Sequence, residues 1–357
     1  NKEFDVSLYT VSSCDFVCLF DNITDIKELV KTCLNLQNQI ESLDIEIING
    51  STINIDSVIT LAKGEHKNLI QKLRVAQIES KNKNLNFYVF EEEGMEIIKE
   101  QANNIYWIDF LKQSFKNDSI IPYFQPIVET QTGKIVKYEC LARIKDREKI
   151  ISPFFFIDAA KKIGAITKIT KIMIEKSCKI FANSKMLFSI NISKEDLIEG
   201  YLKDFLEEMI QKYNLLKSQI TLEILEEISV FGDDKVIHEL LELKNEGYKI
   251  ALDDFGSENA SFSRMLELEI DIVKIDAMFI KNIHTHKNSR IIVESISHMA
   301  KLFNYEVIAE YVHNKEVVDV LKEIGIKYSQ GYYFSMPLEM PLLNSIIGNT
   351  DISLNAK

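Results

Sequence analysis

From Pro122 to about residue 347, short apolar segments alternate with helical segments, and this alternation constrains the fold most strongly. It is typical of βα units. About eight strands in roughly 230 residues fit the size of a (β/α)₈ barrel. The strands are predicted at 121–127, 135–141, 186–191, 220–224, 249–254, 271–276, 305–310 and 327–334. The helices are predicted at 153–163, 167–183, 195–213, 233–246, 260–268, 288–303 and 314–324.

Two of these strands end in charged side chains. The apolar run before residue 253 stops at Asp253 and Asp254, and a second run delivers Lys274 and, two residues later, Asp276. A buried strand that ends in paired charge is unfavourable unless that charge is compensated. A divalent metal is the usual compensation where several carboxylates converge.

Other predicted strands also end in polar side chains. These are Glu139, Asn191, Glu223, Glu310 and Gln330. In a barrel of parallel strands the C-terminal ends share one face, which is where the site is built. Any one such residue is more often a helix cap or a solvated loop acid, and Glu226 could simply brace a loop. The ordered set is what indicates a site.

The residue types in this set favour metal-assisted phosphodiester hydrolysis. Clustered carboxylates cannot all stay ionised without cations, because like charges raise one another's pKa. Hard oxygen ligands select Mg²⁺, Mn²⁺ or Ca²⁺. Two adjacent acids can serve two metals ~3.5–4 Å apart, an arrangement that activates water and clamps a phosphoryl group. Lys274 could orient or deprotonate that water, its pKa lowered by the nearby cations.

Composition narrows the class of protein further. The net charge of -12 argues against long nucleic acid as a partner, since backbone binders are basic. No apolar run approaches the ~20 residues of a membrane helix. The five cysteines form no CxxC pair and predict reduced thiols in the cytoplasm. We therefore expect a cytoplasmic protein, or the cytoplasmic part of a longer signalling protein.

The first third of the chain predicts a separate, smaller α+β unit. Residues 4–20 predict a hairpin with Ser12 and Ser13 at its tip, 22–41 a helix, and Asn49-Gly50 a tight turn between further strands. A long helix that contains Trp107 follows, and Trp107 is expected simply to pack against one domain. The expected boundaries are a small unit over 1–93, a linker helix over 94–117 and the barrel over 118–350.

Seven segments of the second part resemble the EAL family in order and spacing. They are YFQPIVETQTGKIVKYECLAR, NIS, LEILEE, IALDDFGS, DIVKIDAMFI, VIAEYV and SQGYYFSMP. The resemblance covers about residues 118–347. It implies a TIM-like barrel that hydrolyses cyclic di-GMP to linear pGpG with two metal ions, Mg²⁺ or Mn²⁺. It leaves a homodimer through the barrel as an option.

The resemblance also implies roles for individual residues. The implied metal ligands are Glu139, Asn191, Glu223, Asp253, Asp254 and Glu310. The implied catalytic residues are Lys274, Glu139, Glu310 and Gln330. Gln125, Leu141, Arg143 and Asp276 are the implied substrate contacts, and Glu226 the implied support of the loop after the paired aspartates. An arginine fork suits a phosphate oxygen.

Several positions depart from the family pattern. Glu258 and Tyr311 stand where the family has glycine, and Asn259 replaces an aromatic residue. His313 stands where a glutamate is usual, and Lys161 where the residue is usually acidic. These changes leave the implied ligands intact and alter their surroundings, which tune ligand geometry. They motivate an alternative: a weak or inactive cyclic di-GMP receptor or scaffold. A metal-dependent hydrolase of another phosphoester is a third option.

The N-terminal unit resembles the second half of a GGDEF domain. Residues 12–16 (SSCDF) occupy the hairpin where the signature of that family would stand. Ser12 and Ser13 replace its glycines, and Cys14 replaces an acidic residue. The resemblance therefore implies a degenerate, truncated unit without catalytic activity.

Overall fold

The structure, a computed structural model, describes residues 6–11, 15–20, 26–43, 45–46, 52–53, 57–63, 66–83, 85–90, 96–226, 234–256 and 268–343. The chain divides into two compact units, 1–113 and 114–357. Several predicted features lie outside the described ranges: the hairpin tip at Ser12, Ser13 and Cys14, the turn at Asn49-Gly50, the helix at 260–268, and the substituted positions Glu258 and Asn259.

The first unit contains three two-stranded sheets and three helices among its described residues. Its elements are β1 (Val6–Thr10), β2 (Phe16–Phe20), α1 (Ile26–Glu41), β3 (Ile45–Glu46), β4 (Thr52–Ile53), β5 (Ile59–Leu61), α2 (His66–Asn82), β6 (Phe87–Val89) and α3 (Glu96–Lys116), whose last three residues belong to the second unit. The pairs β1–β2 and β3–β4 are antiparallel, and β5–β6 is parallel. Trp107 packs against a buried cluster that includes Val30, Phe87 and Tyr106. The relationship of this unit to GGDEF domains stays a prediction.

The second unit alternates strands and helices as the sequence predicts. Its strands are β7 (Ile120–Glu129), β8 (Ile135–Asp146), β9 (Lys149–Ile151), β10 (Leu187–Asn191), β11 (Ile220–Leu225), β12 (Lys249–Phe255), β13 (Ile272–Ile275), β14 (Glu306–Ala309) and β15 (Tyr328–Gln330). Its helices are α4 (Pro153–Lys162), α5 (Ile166–Ile180), α6 (Lys194–Glu199), α7 (Leu202–Tyr213), α8 (Asp234–Asn245), α9 (Ala277–Ile280), α10 (Lys287–Phe303) and α11 (Lys315–Ile324), with a 3₁₀ turn at Lys217–Gln219.

Eight strands close into a barrel, which confirms the predicted fold class. The order is β10-β11-β12-β13-β14-β15-β7-β8, and β8 pairs with β10 to complete the ring. The ninth strand, β9, pairs only at the edge of β8 as an antiparallel extension. Inside the barrel an apolar layer of Ile127, Ala251, Ile272 and Ile308 fills the space below the site. The barrel is therefore a packed core rather than a pore.

The expectation that all barrel strands run parallel is wrong for β7. It pairs antiparallel with both β8 and β15. The connection from β7 to β8 is a short turn over residues 130–134, and a short turn can join only antiparallel neighbours, because parallel strands need a long crossover.

The single helix predicted over 195–213 is also wrong, because the structure has α6 and α7 there. Gly200 follows α6 with φ 67° and ends it in the left-handed region, where glycine carries no steric penalty. The short helix α9 was not predicted, because four residues are too few to show a helical period.

Candidate active site

The carboxyl ends of the strands bring the predicted polar residues to one mouth of the barrel. Successive inward-facing residues of a strand are two apart, so the last inward position of each strand faces the same space. In the described structure this mouth holds Glu139, Asn191, Glu223, Asp253, Asp254, Lys274, Glu310 and Gln330.

Lys274 lies at the centre of this group and is 1% exposed. Its Nζ is 2.7 Å from Glu223, 2.9 Å from Asp253, 2.9 Å from Glu310 and 3.3 Å from Glu139. Burial opposes the charged ammonium, but these four carboxylates outweigh it and raise the Lys274 pKa well above its usual value. An ammonium has three N–H donors, so it cannot satisfy four carboxylates alone. The cluster therefore keeps acceptor capacity for another cation.

Glu139 is held from two sides. Gln330 Nε2 donates to Glu139 Oε2 at 2.6 Å, and Asn191 Nδ2 donates to Oε1 at 3.1 Å. Burial alone would raise the Glu139 pKa, but Lys274 and these two hydrogen bonds lower it. Gln330 also donates to Gln125 Oε1 at 3.2 Å. Glu139 is thus fixed as an ionised carboxylate.

A local break in strand pairing lets two consecutive aspartates face one space. Consecutive residues of a regular strand point to opposite faces. In β12 the register shifts between Leu252 and Phe255, and Asp254 takes φ 53°. Such a bulge re-aims a side chain. As a result, carboxylate oxygens of Asp253, Asp254 and Glu310 come within 4.8 Å of one another.

The acids form two overlapping groups that could each hold a metal ion. One contains Glu139, Glu223 and Asp253, the other Asp253, Asp254 and Glu310. Burial raises the pKa of Glu223 to about 7, and burial with the nearby Asp253 raises that of Asp254 to about 6. Burial also raises the Glu310 pKa well above its usual value.

The donor set fits divalent cations. Among the described residues, the buried Oε1 of Glu223 has no hydrogen-bond partner. A buried oxygen without a partner is costly unless something else binds it. The unpaired oxygen and the raised pKa values of Glu223, Asp254 and Glu310 show that the acids carry more negative charge than Lys274 alone can neutralise. Hard oxygen donors of this kind suit Mg²⁺ or Mn²⁺.

The predicted substrate contacts lie around this mouth. Gln125 pairs with Glu139 across β7 and β8, and Leu141 and Arg143 continue the same face of β8 beyond Glu139. Arg143 is half-buried, which lowers its pKa, and its guanidinium lies 6.0 Å from the Tyr123 ring. Asp276 caps α9 by accepting a 2.6 Å hydrogen bond from the Met278 amide. Contact of these residues with a substrate stays a prediction.

Glu226 reaches the segment that follows the paired aspartates. Its buried carboxylate accepts a 2.9 Å hydrogen bond from the Gly256 amide. Gly256 has φ 94°, and a Cβ there would lie 2.7 Å from the Phe279 ring. The backbone thus requires glycine at 256, and Glu226 fixes the amide of that same residue. A role of Glu226 in supporting the loop after the paired aspartates stays a prediction.

The departures from the family pattern at described positions, Lys161, Tyr311 and His313, lie at the surface. His313 is exposed and contacts the Tyr311 carbonyl and the Asn314 side chain through its ring nitrogens, at 3.2 Å each. Lys161 is exposed in the last turn of α4. Tyr311 directly follows Glu310 and has φ 54°. The backbone at position 311 therefore lies in the left-handed region that favours glycine, although the residue is tyrosine.

We predict that Tyr311→Gly makes the protein more stable than Tyr311→Ala by about 1 kcal/mol, because only glycine avoids the left-handed penalty. Both variants remove the same half-exposed ring, so the pair isolates the backbone effect. Urea unfolding of both proteins measures the difference. Equal stability would show that position 311 carries no backbone strain.

One buried charge beside the site was missed by the sequence prediction. Lys137 precedes Glu139 by two residues and is 5% exposed. Two-residue spacing on a strand places side chains on one face, so the signal was present in the sequence.

The mouth of this closed barrel is therefore an acidic site whose oxygen donors suit divalent cations. Residues 108–337 match the sequence profile of the EAL domain family. The chain therefore belongs to the EAL domain family.

Similarity to known proteins supports this family assignment. The cyclic di-GMP phosphodiesterase PdeB of Shewanella oneidensis is 30% identical over 277 residues, 75% of this chain and 32% of that protein. PdeA of Borreliella burgdorferi, another cyclic di-GMP phosphodiesterase, is 31% identical over 277 residues, 75% of this chain and 41% of that protein. The chain thus spans well under half the length of these two relatives.

A solved structure shows the same fold. The EAL enzyme Bd1971 in its cAMP-bound form is 27% identical, with a TM-score of 0.63 over 68% of this chain and 70% of that one. Among the described residues, helices long and apolar enough to cross a membrane are absent.

Proposed function

We propose that this protein is a metal-dependent phosphodiesterase that hydrolyses cyclic di-GMP to linear pGpG. The observation that carries the proposal is the pair of acidic groups that share Asp253 around the buried Lys274. Similarity to proteins named cyclic di-GMP phosphodiesterases supports the substrate.

Two divalent cations, Mg²⁺ or Mn²⁺, would be held by the six predicted ligands. These are Glu139, Asn191, Glu223, Asp253, Asp254 and Glu310. When bound, such cations supply the positive charge that acidifies water and neutralises a phosphodiester. The shared Asp253 is the residue best placed to serve both of them.

The protein's own side chains would bind the substrate and orient the water. Lys274 Nζ, which lies among the carboxylates, would donate a hydrogen bond that orients the attacking water. It would accept a proton from that water only if bound cations lowered its pKa, which the carboxylates raise well above its usual value. Gln330 fixes Glu139 and Gln125 together. The Arg143 guanidinium suits a phosphate oxygen of the substrate.

The test is a turnover assay on pure protein with product identification by chromatography. With Mn²⁺ or Mg²⁺, cyclic di-GMP should yield pGpG, and chelator should stop the reaction. Cyclic di-GMP left intact over many hours with excess metal would exclude the hydrolase. Calorimetric binding without cleavage would instead establish the receptor or scaffold alternative.

We predict that the apparent affinity for Mn²⁺ weakens as the pH falls from about 8 to about 5.5. Protons then compete with Mn²⁺ for carboxylates whose pKa values are raised. The pKa values of Glu223, about 7, and Asp254, about 6, place this competition in that range. Calorimetry in two buffers of different ionisation enthalpy should show proton release on the order of one per protein near pH 6.5. Affinity that is constant across the range would contradict the prediction.

A further inference from the structure

Asn191 differs from the other predicted metal ligands because it is exposed. It ends β10, and its Nδ2 donates to Glu139 Oε1 at 3.1 Å, so Oδ1 is the amide atom that can bind a cation. An exposed side chain has rotamer freedom, and a metal ion that immobilises it must offset the lost entropy. The orientation of Asn191 therefore depends on how firmly the backbone around it is held.

The backbone after Asn191 is held at two consecutive residues. The Ile192 amide donates a 2.8 Å hydrogen bond to the Glu223 carbonyl on β11. The Ser193 amide and hydroxyl both donate to Oδ2 of Asp196, at 2.8 and 2.7 Å. The Asp196 amide in turn donates to Ser193 Oγ at 3.2 Å, which completes a capping box at the start of α6. Asp196 thus fixes the chain two residues beyond Asn191.

Asp196 is itself anchored to other helices. It is fully buried. Thr170 Oγ1 on α5 donates to its Oδ2 at 2.9 Å, and the hydroxyl of Tyr201, the residue before α7, donates to its Oδ1 at 2.5 Å. Burial and the neighbouring Asp196 raise the Tyr201 pKa, so this hydroxyl stays protonated and remains a donor. The Lys171 ammonium lies 3.8 Å from the centre of the Tyr201 ring.

These contacts exceed what the start of a helix requires. A capping box needs only its two residues, here Ser193 and Asp196, and is compatible with full exposure to water. The bonds from Thr170 and Tyr201 instead tie the same carboxylate to α5 and to the start of α7. The turn that carries Asn191 is therefore fastened to the body of the barrel by one buried side chain.

We propose that Asp196 is a positioning residue that orients the Asn191 amide toward Glu139 and toward the cation that these two residues would share. The inference rests on the proposed metal-dependent function. Asp196 acts through Ser193, since its hydrogen bonds hold the backbone that follows Asn191. Loss of a group that orients a metal ligand typically lowers metal affinity by roughly 10- to 100-fold.

The effect should be confined to one of the two acidic groups. Asn191 is hydrogen-bonded to Glu139, which belongs only to the group with Glu223 and Asp253. A displaced Asn191 therefore weakens the ion held by that group. General loosening of the fold would instead weaken both ions, so selectivity distinguishes positioning from a merely structural role.

The experiment is Mn²⁺ titration by calorimetry at pH 7 on the full chain, with Asp196→Ala against the wild type. We expect one ion to bind roughly tenfold more weakly, or weaker still, and the other to keep its wild-type affinity. Tyr201→Phe keeps the ring beside Lys171 but removes one donor to Asp196. It should weaken the same ion by a smaller factor, roughly threefold.

Gln219→Ala is the matched control. Gln219 is also buried, and it donates to the Ser184 and Met186 carbonyls at 2.7 and 3.2 Å and accepts from the Leu216 amide at 2.9 Å. It lies just before β11, at the opposite end of the parallel pair β10–β11 from Asn191. Its loss should lower stability in urea unfolding while both Mn²⁺ affinities stay at their wild-type values.

The outcomes separate this inference from the proposed function. Wild-type protein that binds no Mn²⁺ would overturn both. Wild-type binding with both ions weakened equally in Asp196→Ala, or with neither weakened, would overturn the role of Asp196 alone. Selective loss of one ion in Gln219→Ala would do the same, because the effect would then follow from destabilisation. If Asp196→Ala does not fold, Tyr201→Phe decides by the same criteria.

Discussion

Replacement of Lys274 by methionine is expected to abolish turnover and to destabilise the metal-free protein by about 3–5 kcal/mol. Methionine matches the length of the lysine side chain but leaves four carboxylates around it without their shared counter-charge. An uncompensated buried charge is far more costly than a lost surface ion pair. Urea unfolding in the presence of chelator measures the loss of stability, and the turnover assay measures the loss of activity.

The pH dependence of this variant has a defined sign. Without Lys274 the pKa values of the surrounding carboxyl groups rise in the folded state, so the folded protein binds more protons than the unfolded chain. Stability of the variant should therefore fall as the pH rises from about 4 toward neutrality. Added Mn²⁺ should restore part of it, because ligands that bind only the folded state stabilise it.

Lys244→Met is the matched control for this experiment. Lys244 Nζ lies 2.9 Å from Asp271, the same distance as in two of the four central pairs, but this pair is partly exposed to solvent. Its loss should cost under about 1 kcal/mol. A Lys274 variant no less stable than this control would refute the view that Lys274 compensates the buried acids.

The barrel was predictable from sequence because most of its strands are short, largely apolar runs buried on both faces. Such runs differ clearly from the helical period between them. The direction of β7 was not predicted, although the short TQTGK connection could have indicated a hairpin. The split between α6 and α7 was also readable in principle, at Gly200.

The site was predictable as a list of residues but not as an arrangement. Asp253 and Asp254 face the same space only because the pairing of β12 with β13 shifts register between Leu252 and Phe255. No local residue type signals that shift. The position of Lys274 among four carboxylates likewise depends on how strands distant in sequence align. Lys137 was not predicted because it lies two residues before the polar strand end at Glu139.

Asp253→Asn is expected to lower turnover by roughly 10³-fold or more. Weaker metal binding would remove several kcal/mol of transition-state stabilisation. Asparagine keeps the shape of the side chain but removes the charge from the carboxylate that belongs to both acidic groups. The fold should persist, because the crowded cluster loses one of its like charges. Circular dichroism checks the fold, and the turnover assay measures the rate.

Asp254→Asn is the comparison that tests whether Asp253 is shared between two metals. Asp254 belongs to one acidic group, so its variant should lose strong binding of one Mn²⁺ and retain the other. The Asp253 variant should bind both ions weakly, because each group loses the same ligand. Mn²⁺ stoichiometry from calorimetry separates the two cases. If Asp253→Asn still binds two equivalents as tightly as the wild type, Asp253 does not bridge the two sites, and the two-metal arrangement proposed here fails with it.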